Sequence, residues 1–202
     1  TRTAQADLNF AVHASQGEFP RIVVAPGDIE ECFYETFRVF NLTDQYQVPC
    51  IILTDKFLAD SSISQPLFET QHLKINRGKS FDYVKESSDQ PYLRYKLTPD
   101  GVSARAIPGQ VGGRHIATSY THGEDGFYSS GNQEYAMNEP NTTIASMDKL
   151  FNKLPFMEED IPAIKFYGPA DADLTIIAWG STKGAILEAI EQAHNQGIIV
   201  NY

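Results

Sequence analysis

The chain has 202 residues, 42% hydrophobic and 21% charged, with 26 acidic residues against 16 Lys and Arg and a formal net charge of -10. That is ordinary for a soluble globular protein with one good core or two small ones, and it argues against a nucleic-acid partner, whose surface would gather Lys and Arg on one face. No apolar run approaches the ~20 residues of a membrane span, and the start TRTAQADL has neither region of a signal peptide, so the expectation is a soluble, cytoplasmic protein without a membrane partner.

In chain order, residues 7–13 (DLNFAVH) carry a weak helical stripe in Leu8, Phe10 and Val12 with no cap to open it, and predict a helix cut from something longer. Residues 21–60 are the clearest stretch and predict strand, crossover helix, strand. Residues 21–25 are a short β-branched run stopped by Pro26 and Gly27, the pattern of a strand buried on both faces. Asp28 offers an N-cap and Glu31 completes a capping box. Ile29, Phe33, Phe37 and Phe40 then recur on one helical face, which should lie against the sheet. Residues 48–53, entered through Pro49, predict the second strand. Two strands so joined are parallel, with a right-handed crossover. The ligand crevice of such a sheet lies beyond the strands' carboxyl ends, here Ala25-Pro26-Gly27-Asp28 and Thr54-Asp55-Lys56. Cys32 and Cys50 fall inside the predicted helix and strand and read as buried apolar positions. Two thiolates cannot hold an iron–sulfur cluster alone, so any cluster belongs to a partner.

Residues 61–87 are polar, show no sustained period and read as a surface arm. Residues 91–106 alternate apolar and charged residues around Thr98-Pro99-Asp100-Gly101 and predict a short hairpin. Residues 108–131, rich in Gly, His and Tyr, predict an ordered irregular segment with one strand-like run at 115–121. Residues 143–154 predict a helix closed by Pro155, and Pro162 and Pro169 punctuate a linker. Residues 174–179 predict a buried strand, Gly180-Ser181-Thr182-Lys183-Gly184 a tight turn, 185–195 a helix with Gly197 as its C-cap, and 198–202 a further strand. This second βαβ start is an unfinished unit, and the expectation is that both ends of the polypeptide are truncated or completed by another chain.

Three groups invite a functional reading. The turn GSTKG follows a strand and opens a helix, so its amides and Lys183 suit a phosphate, but it has neither P-loop nor dinucleotide spacing; the alternative is a tight turn capped by Ser181. His115, His122, Glu124 and Asp125 match no metal-ligand spacing; His122 and Asp125 either line a pocket or belong to an ordered polar loop. Arg2, between Thr1 and Thr3, either holds an anionic carboxylate bidentately or is a solvated charge. No GxSxG, HExxH or paired Cys and base supports hydrolase chemistry.

Several stretches together resemble the α subunit of 2-oxoacid:ferredoxin oxidoreductases: Thr1-Arg2-Thr3 with Gln5, Asp7 and Leu8; Gly17 to Arg21; Ala25 to Asp28; Glu30 with Phe33; Phe40-Asn41-Leu42; Tyr46 and Pro49; and Asp55 to Ala59. Pro91 to Tyr95, Asp100 to Ser103, Arg105 to Gly109 and His122 to Gly126 are similar to the segment joining that subunit's first and second domains, and Leu174 to Gly184 to the opening of its transketolase C-terminal-like domain. The resemblance implies an α/β chain of parallel βαβ units in three parts: 1–66, the C-terminal part of a pyrimidine-type thiamine-diphosphate domain; 67–170, a linker region with hairpin and short helix; and 171–202, the start of the transketolase C-terminal-like domain. It further implies oxidative decarboxylation of a 2-oxoacid, 2-oxoglutarate or pyruvate, to acyl-coenzyme A with electrons passed to ferredoxin. Thiamine diphosphate with Mg would be shared with a β subunit, and iron–sulfur clusters held only in the partner. The family's YPITP stretch and the acid that activates the aminopyrimidine lie upstream of Thr1, so this chain alone is expected to be inactive, with no catalytic residue of its own assigned. Arg2 matches an Arg of the family's TRTEQ stretch, with Ala4 where that pattern has Glu, and is the candidate for the substrate carboxylate. Asp125 matches an acidic position near the substrate pocket. Two other classes stay open: a non-catalytic scaffold subunit, and another thiamine-diphosphate-dependent transferase.

Overall fold

The structure, a computed structural model, describes residues 3–4, 6–83, 91–118, 123–127 and 140–202. Contacts gather the chain into two compact units, one of Thr1–Phe40, Pro49–Lys74 and Pro162–Tyr202, the other of Asn41–Val48 and Ile75–Ile161.

The first unit holds both βαβ elements. Helix α1 (Asp7–His13) opens after Ala6 with no side-chain cap. Strand β1 (Ile22–Val24), helix α2 (Ile29–Tyr46) and strand β2 (Cys50–Ile52) follow, and β1 and β2 are parallel, with Ile22 opposite Cys50 and Val24 opposite Ile52. The capping box forms as the sequence implies: Asp28 Oδ1 accepts the Glu31 N–H at 2.7 Å, and Glu31 Oε2 reaches back to the Gly27 N–H at 2.8 Å. The face that α2 turns to the sheet is not the expected one. Val39 is buried and its carbonyl takes the Cys50 thiol at 3.6 Å, whereas Phe40 is 64% exposed. Phe33 stacks flat on Phe68 with ring centres 4.1 Å apart, so this part of the aromatic stripe is covered by the irregular segment 61–74. Cys32 and Cys50 are half-buried thiols; burial, and then the carboxylates of Asp28 and Glu31, push the Cys32 thiol up and keep it protonated.

After α3 (Lys56–Asp60), capped by Asp55 Oδ1 on the Leu58 N–H at 2.9 Å, this unit resumes with β3 (Leu174–Thr175) and β4 (Val200–Asn201), again parallel. The expected buried strand 174–179 is only two residues long, and Leu174 and Ile177 are exposed. The Ile176 N–H still reaches Asn201 O at 2.8 Å, and the sheet consists of these two strands. The intervening helix (Thr182–His194) starts three residues before the expected one, since Thr182 and Lys183 are already helical. At its other end the Ile198 N–H returns to Ala193 O past Gly197, the expected cap.

The second unit contains the helices Pro140–Phe151 and Leu154–Asp160, labelled α4 and α5, which makes Thr182–His194 helix α6. Pro155 opens α5 where the sequence implied a helix end. A proline in a first turn lacks only an N–H that has no intrahelical partner there anyway. The hairpin expected at 91–106 does not form. Its turn exists, with the Gly101 N–H on Thr98 O at 3.0 Å, but side chains take the ladder's place. The Tyr92 hydroxyl accepts from the Ala106 N–H and donates to Ala104 O, both at 2.9 Å; Ser103 Oγ donates to Lys96 O; and the backbone of Arg105 pairs with Lys79 and Phe81. Among the described residues of this unit, Leu42, Tyr46, Val48, Phe81, Val102 and Met157 are the buried apolar ones. Asp44 lies between Arg77 at 2.7 Å and Arg105 at 2.8 Å, whose hydrogen bonds hold its carboxyl below the usual range.

Gly101 has φ +69°, and a Cβ there would lie 2.1 Å from Lys149 O, whereas Gly109, at φ +87°, faces open space. Gly101→Ala therefore costs about 3 kcal/mol, strain plus clash, and Gly109→Ala about 1 kcal/mol, strain alone. Urea midpoints of the two variants test this; equal losses would show that the Lys149 contact imposes nothing.

Candidate functional site

Beyond the carboxyl ends of β1 and β2, where open parallel sheets place their ligands, the first unit has two adjoining clefts. The smaller, about 420 Å³, is walled by Thr3, Ala4, Asp7 and Leu8, by Ala25 after β1, by Leu53 to Asp55 after β2, and by residues 177–180 with Thr182. The larger, about 590 Å³, runs along residues 23–27, Glu31, Glu35 and Arg38, the segment 164–167, residues 175–180, Lys183 and Tyr202. Ala25 and residues 177–180 are common to both.

The turn GSTKG supplies the electrostatic centre of this region. Lys183, 14% exposed, sets its Nζ 2.6 Å from Asp28 Oδ2 and 2.7 Å from Glu31 Oε1. Lys165 adds a longer pair to Glu31 at 3.3 Å. Burial would raise the Glu31 carboxyl, but the bonds from Lys183, the Gly27 amide and Lys165 outweigh it and hold the group at about 2. Burial likewise works against the Lys183 ammonium, and its two carboxylates overcome that, raising its pKa above the ordinary lysine value. The ammonium also sits 5.6 Å over the Tyr167 ring, which stacks on Tyr202. Ser181 does not cap its helix, as the sequence reading had it; its hydroxyl donates to Asp55 Oδ2. The turn seats closely on Gly27, where a Cβ would lie 2.7 Å from Lys183 Cδ and 3.1 Å from Gly180 O.

Of the residues singled out from the sequence, Arg2 and His122 lie outside the described residues, but Thr3 and Ala4, which follow Arg2, line the smaller cleft. Asp125 is exposed in the second unit, and its Oδ1 takes the Phe127 N–H at 3.0 Å. Glu124 accepts the Leu97 N–H at 2.7 Å, and His115 packs edge-on against Tyr92. The pairing of Lys183 with Asp28 and Glu31 escaped the sequence reading. Each residue has a local role in the sequence, and the separation of more than 150 positions leaves no local signal of the pairing.

The walls suit one end of thiamine diphosphate and not the other. Arg38, Lys165 and Lys183 are each already paired with a carboxylate, and among the described residues no group of three His, Cys, Asp or Glu side chains gathers for a metal, so a diphosphate with its metal does not fit here. Leu8, Leu53, Ile177 and Trp179 give the smaller cleft an apolar part, the chemistry that suits a planar ring rather than a diphosphate.

Residues 1–142 match the family described as "Pyruvate flavodoxin/ferredoxin oxidoreductase, thiamine diP-bdg". The chain belongs to this family. It is 37% identical over 204 residues to the 2-oxoacid:ferredoxin oxidoreductase subunit alpha of Saccharolobus solfataricus, covering 98% of this chain and 30% of that one. To the 2-oxoglutarate synthase subunit KorA of Methanothermobacter thermautotrophicus it is 24% identical, covering all of this chain and 50% of the relative. Among solved structures it is similar to the 2-oxoglutarate:ferredoxin oxidoreductase from Magnetococcus marinus with 2-oxoglutarate, coenzyme A and succinyl-CoA bound, with a TM-score of 0.82 and 33% identity over 98% of this chain and 32% of that one. The chain thus spans about a third to a half of the length of these relatives. This is the thiamine-diphosphate family that the sequence resemblance indicated, and the α/β fold with parallel strands agrees with it. No helix among the described residues is long and apolar enough to cross a membrane.

The depressed Glu31 carboxyl fixes an acid dependence. With a folded pKa of about 2 against an ordinary 4.5, its contribution to stability is fully present above pH 4.5 and is lost as pH falls toward 2. Glu31→Gln should lower the urea midpoint at pH 7 and flatten its fall between pH 4.5 and 2. An acid profile parallel to that of the parent protein would show that Glu31 carries no such linkage.

Proposed function

We propose that this chain serves in the α subunit of a 2-oxoacid:ferredoxin oxidoreductase, which decarboxylates 2-oxoglutarate or pyruvate oxidatively, transfers the acyl group to coenzyme A and passes electrons to ferredoxin. The observation that supports this reading best is a fold that follows a 2-oxoglutarate:ferredoxin oxidoreductase over 98% of the chain, with a cleft of about 420 Å³ beyond β1 and β2 beside the Thr3-Ala4 stretch. Thiamine diphosphate, when bound, would supply the nucleophilic carbon and electron-sink chemistry of 2-oxoacid decarboxylation. The described residues offer that cofactor an apolar wall; the diphosphate, its Mg and the iron–sulfur clusters belong to a β subunit, and ferredoxin is the electron acceptor.

In this reading Arg2, which precedes Thr3 in the sequence, takes the substrate carboxylate with its guanidinium, and Asp125 serves the substrate in the assembled complex. The active site is complete only with the partner chain, and the cytoplasm is where it works.

The test uses the full α chain with its β partner, thiamine diphosphate, Mg and coenzyme A, given 2-oxoglutarate or pyruvate with ferredoxin as acceptor. Reduced ferredoxin appearing only with a 2-oxoacid and coenzyme A is the expected result. Arg2→Ala should raise KM for the 2-oxoacid by roughly 10- to 100-fold, the loss of a charge-assisted contact, and leave thiamine diphosphate affinity unchanged. An unchanged KM removes Arg2 from the site, and a complex that reduces no acceptor with either acid ends the functional reading.

A further inference from the structure

We infer that the turn from Gly180 to Lys183 is a two-pronged clasp that sets the width of the cleft beyond β1 and β2, which makes Lys183 a positioning residue of the reaction proposed above; the inference rests on that functional reading. One prong is the Ser181 hydroxyl on Asp55, in the loop that leaves β2. The other is the Lys183 ammonium on Asp28 and Glu31, where the chain leaves β1 and α2 begins. The last ladder bond between the two strands runs from the Leu53 N–H to Val24 O at 2.8 Å. Beyond it the two loops are joined through this turn.

The clasp is tight on both sides. The Lys183 stem and Gly180 O press on Gly27 with no room for a Cβ, and Glu31, which holds Lys183 by one oxygen, holds the Gly27 amide by the other. Asp55 is likewise fixed twice, by Ser181 and by the Leu58 amide that it caps. Ala25, Asp55, Gly180 and Thr182 are therefore wall residues whose spacing is set by these bonds, and Thr3, Ala4 and Asp7 line the same cleft. The ammonium, engaged by two carboxylates, is not presented as a binding cation. Its effect on a substrate held beside Thr3 passes through geometry: a cleft whose walls move apart loses binding contacts with the 2-oxoacid, which appears in KM.

The experiment compares three variants of the full α chain assembled with its β partner: Lys183→Met, Lys183→Arg, and the neutral triple variant Asp28→Asn, Glu31→Gln, Lys183→Met. Lys183→Met should raise KM for the 2-oxoacid about tenfold with kcat much less affected, and Lys183→Arg, which still bridges two carboxylates, should restore most of it. The triple variant leaves no unpaired carboxylate, so it should regain thermal stability and keep the raised KM. A normal KM in the triple variant overturns the inference, because Lys183 would then serve only to neutralise Asp28 and Glu31. Hydrogen exchange in the same complexes gives a readout independent of catalysis. The amides of Ala4 and Asp7, which bond each other's residue across the start of α1, should exchange faster in Lys183→Met, and unchanged exchange there also overturns the inference. Should the parent complex turn over no 2-oxoacid, the functional reading fails while the exchange result still decides the clasp.

Discussion

A half-buried lysine between two carboxylates is the interaction on which the first unit depends. Lys183 lies more than 150 residues from Asp28 and Glu31, and its two bonds join the second βαβ start directly to the beginning of α2. Such a group gains little net stability over a well-packed apolar one, since desolvation offsets much of the attraction. Its value lies in selectivity: removing any one member strands charge in a partly dry place, so only one arrangement of the turn on Gly27 satisfies all three. The same three residues also complete the N-terminus of α2, where the capping box and the ion pair share Glu31, so local helix formation and long-range docking stabilise each other.

The second unit meets the problem of buried cations differently. Lys149, whose Nζ lies 2.6 Å from Tyr95 O and 2.5 Å from Ser103 Oγ, and Lys153, 5% exposed with its Nζ 3.3 Å from Gln47 O, face uncharged oxygens rather than carboxylates. Burial, then the neighbouring charges of Lys153 and Arg94, lower Lys149 to about 8. Dipoles tether these stems firmly enough to place segments 95–103 and 47 around α4 and α5, but they neutralise nothing.

What could be read from the sequence was local. The β-branched run at 22–24, the Asp28 and Glu31 cap, and the parallel return at Cys50 to Ile52 each follow from a few neighbouring residues, and all are present. The orientation of α2 was not legible, because Phe40 and Val39 are both apolar and only the arm that brings Phe68 onto Phe33 decides which face the sheet receives. Pro155 is equally compatible with ending one helix and starting another, and the alternation at 91–106 says nothing about Tyr92 and Ser103 taking over the ladder's hydrogen bonds. At the site, the crevice location followed from the strand order, whereas the roles of Ser181 and Lys183 required their distant partners to be seen.

The first unit is assembled from three stretches of chain, with Ile75–Ile161 and Asn41–Val48 given over to the other unit between them. During synthesis, β1, α2 and β2 leave the ribosome long before Lys183 exists, and until then Asp28 and Glu31 repel each other at the head of α2. Most of the second unit emerges in that interval, with several of its contacts, Tyr92 with Ala104 and Ser103 with Lys96, closing loops of a dozen residues or fewer. The order of emergence thus favours early consolidation of the second unit and leaves the cleft of the first to be closed late, by the arrival of one turn.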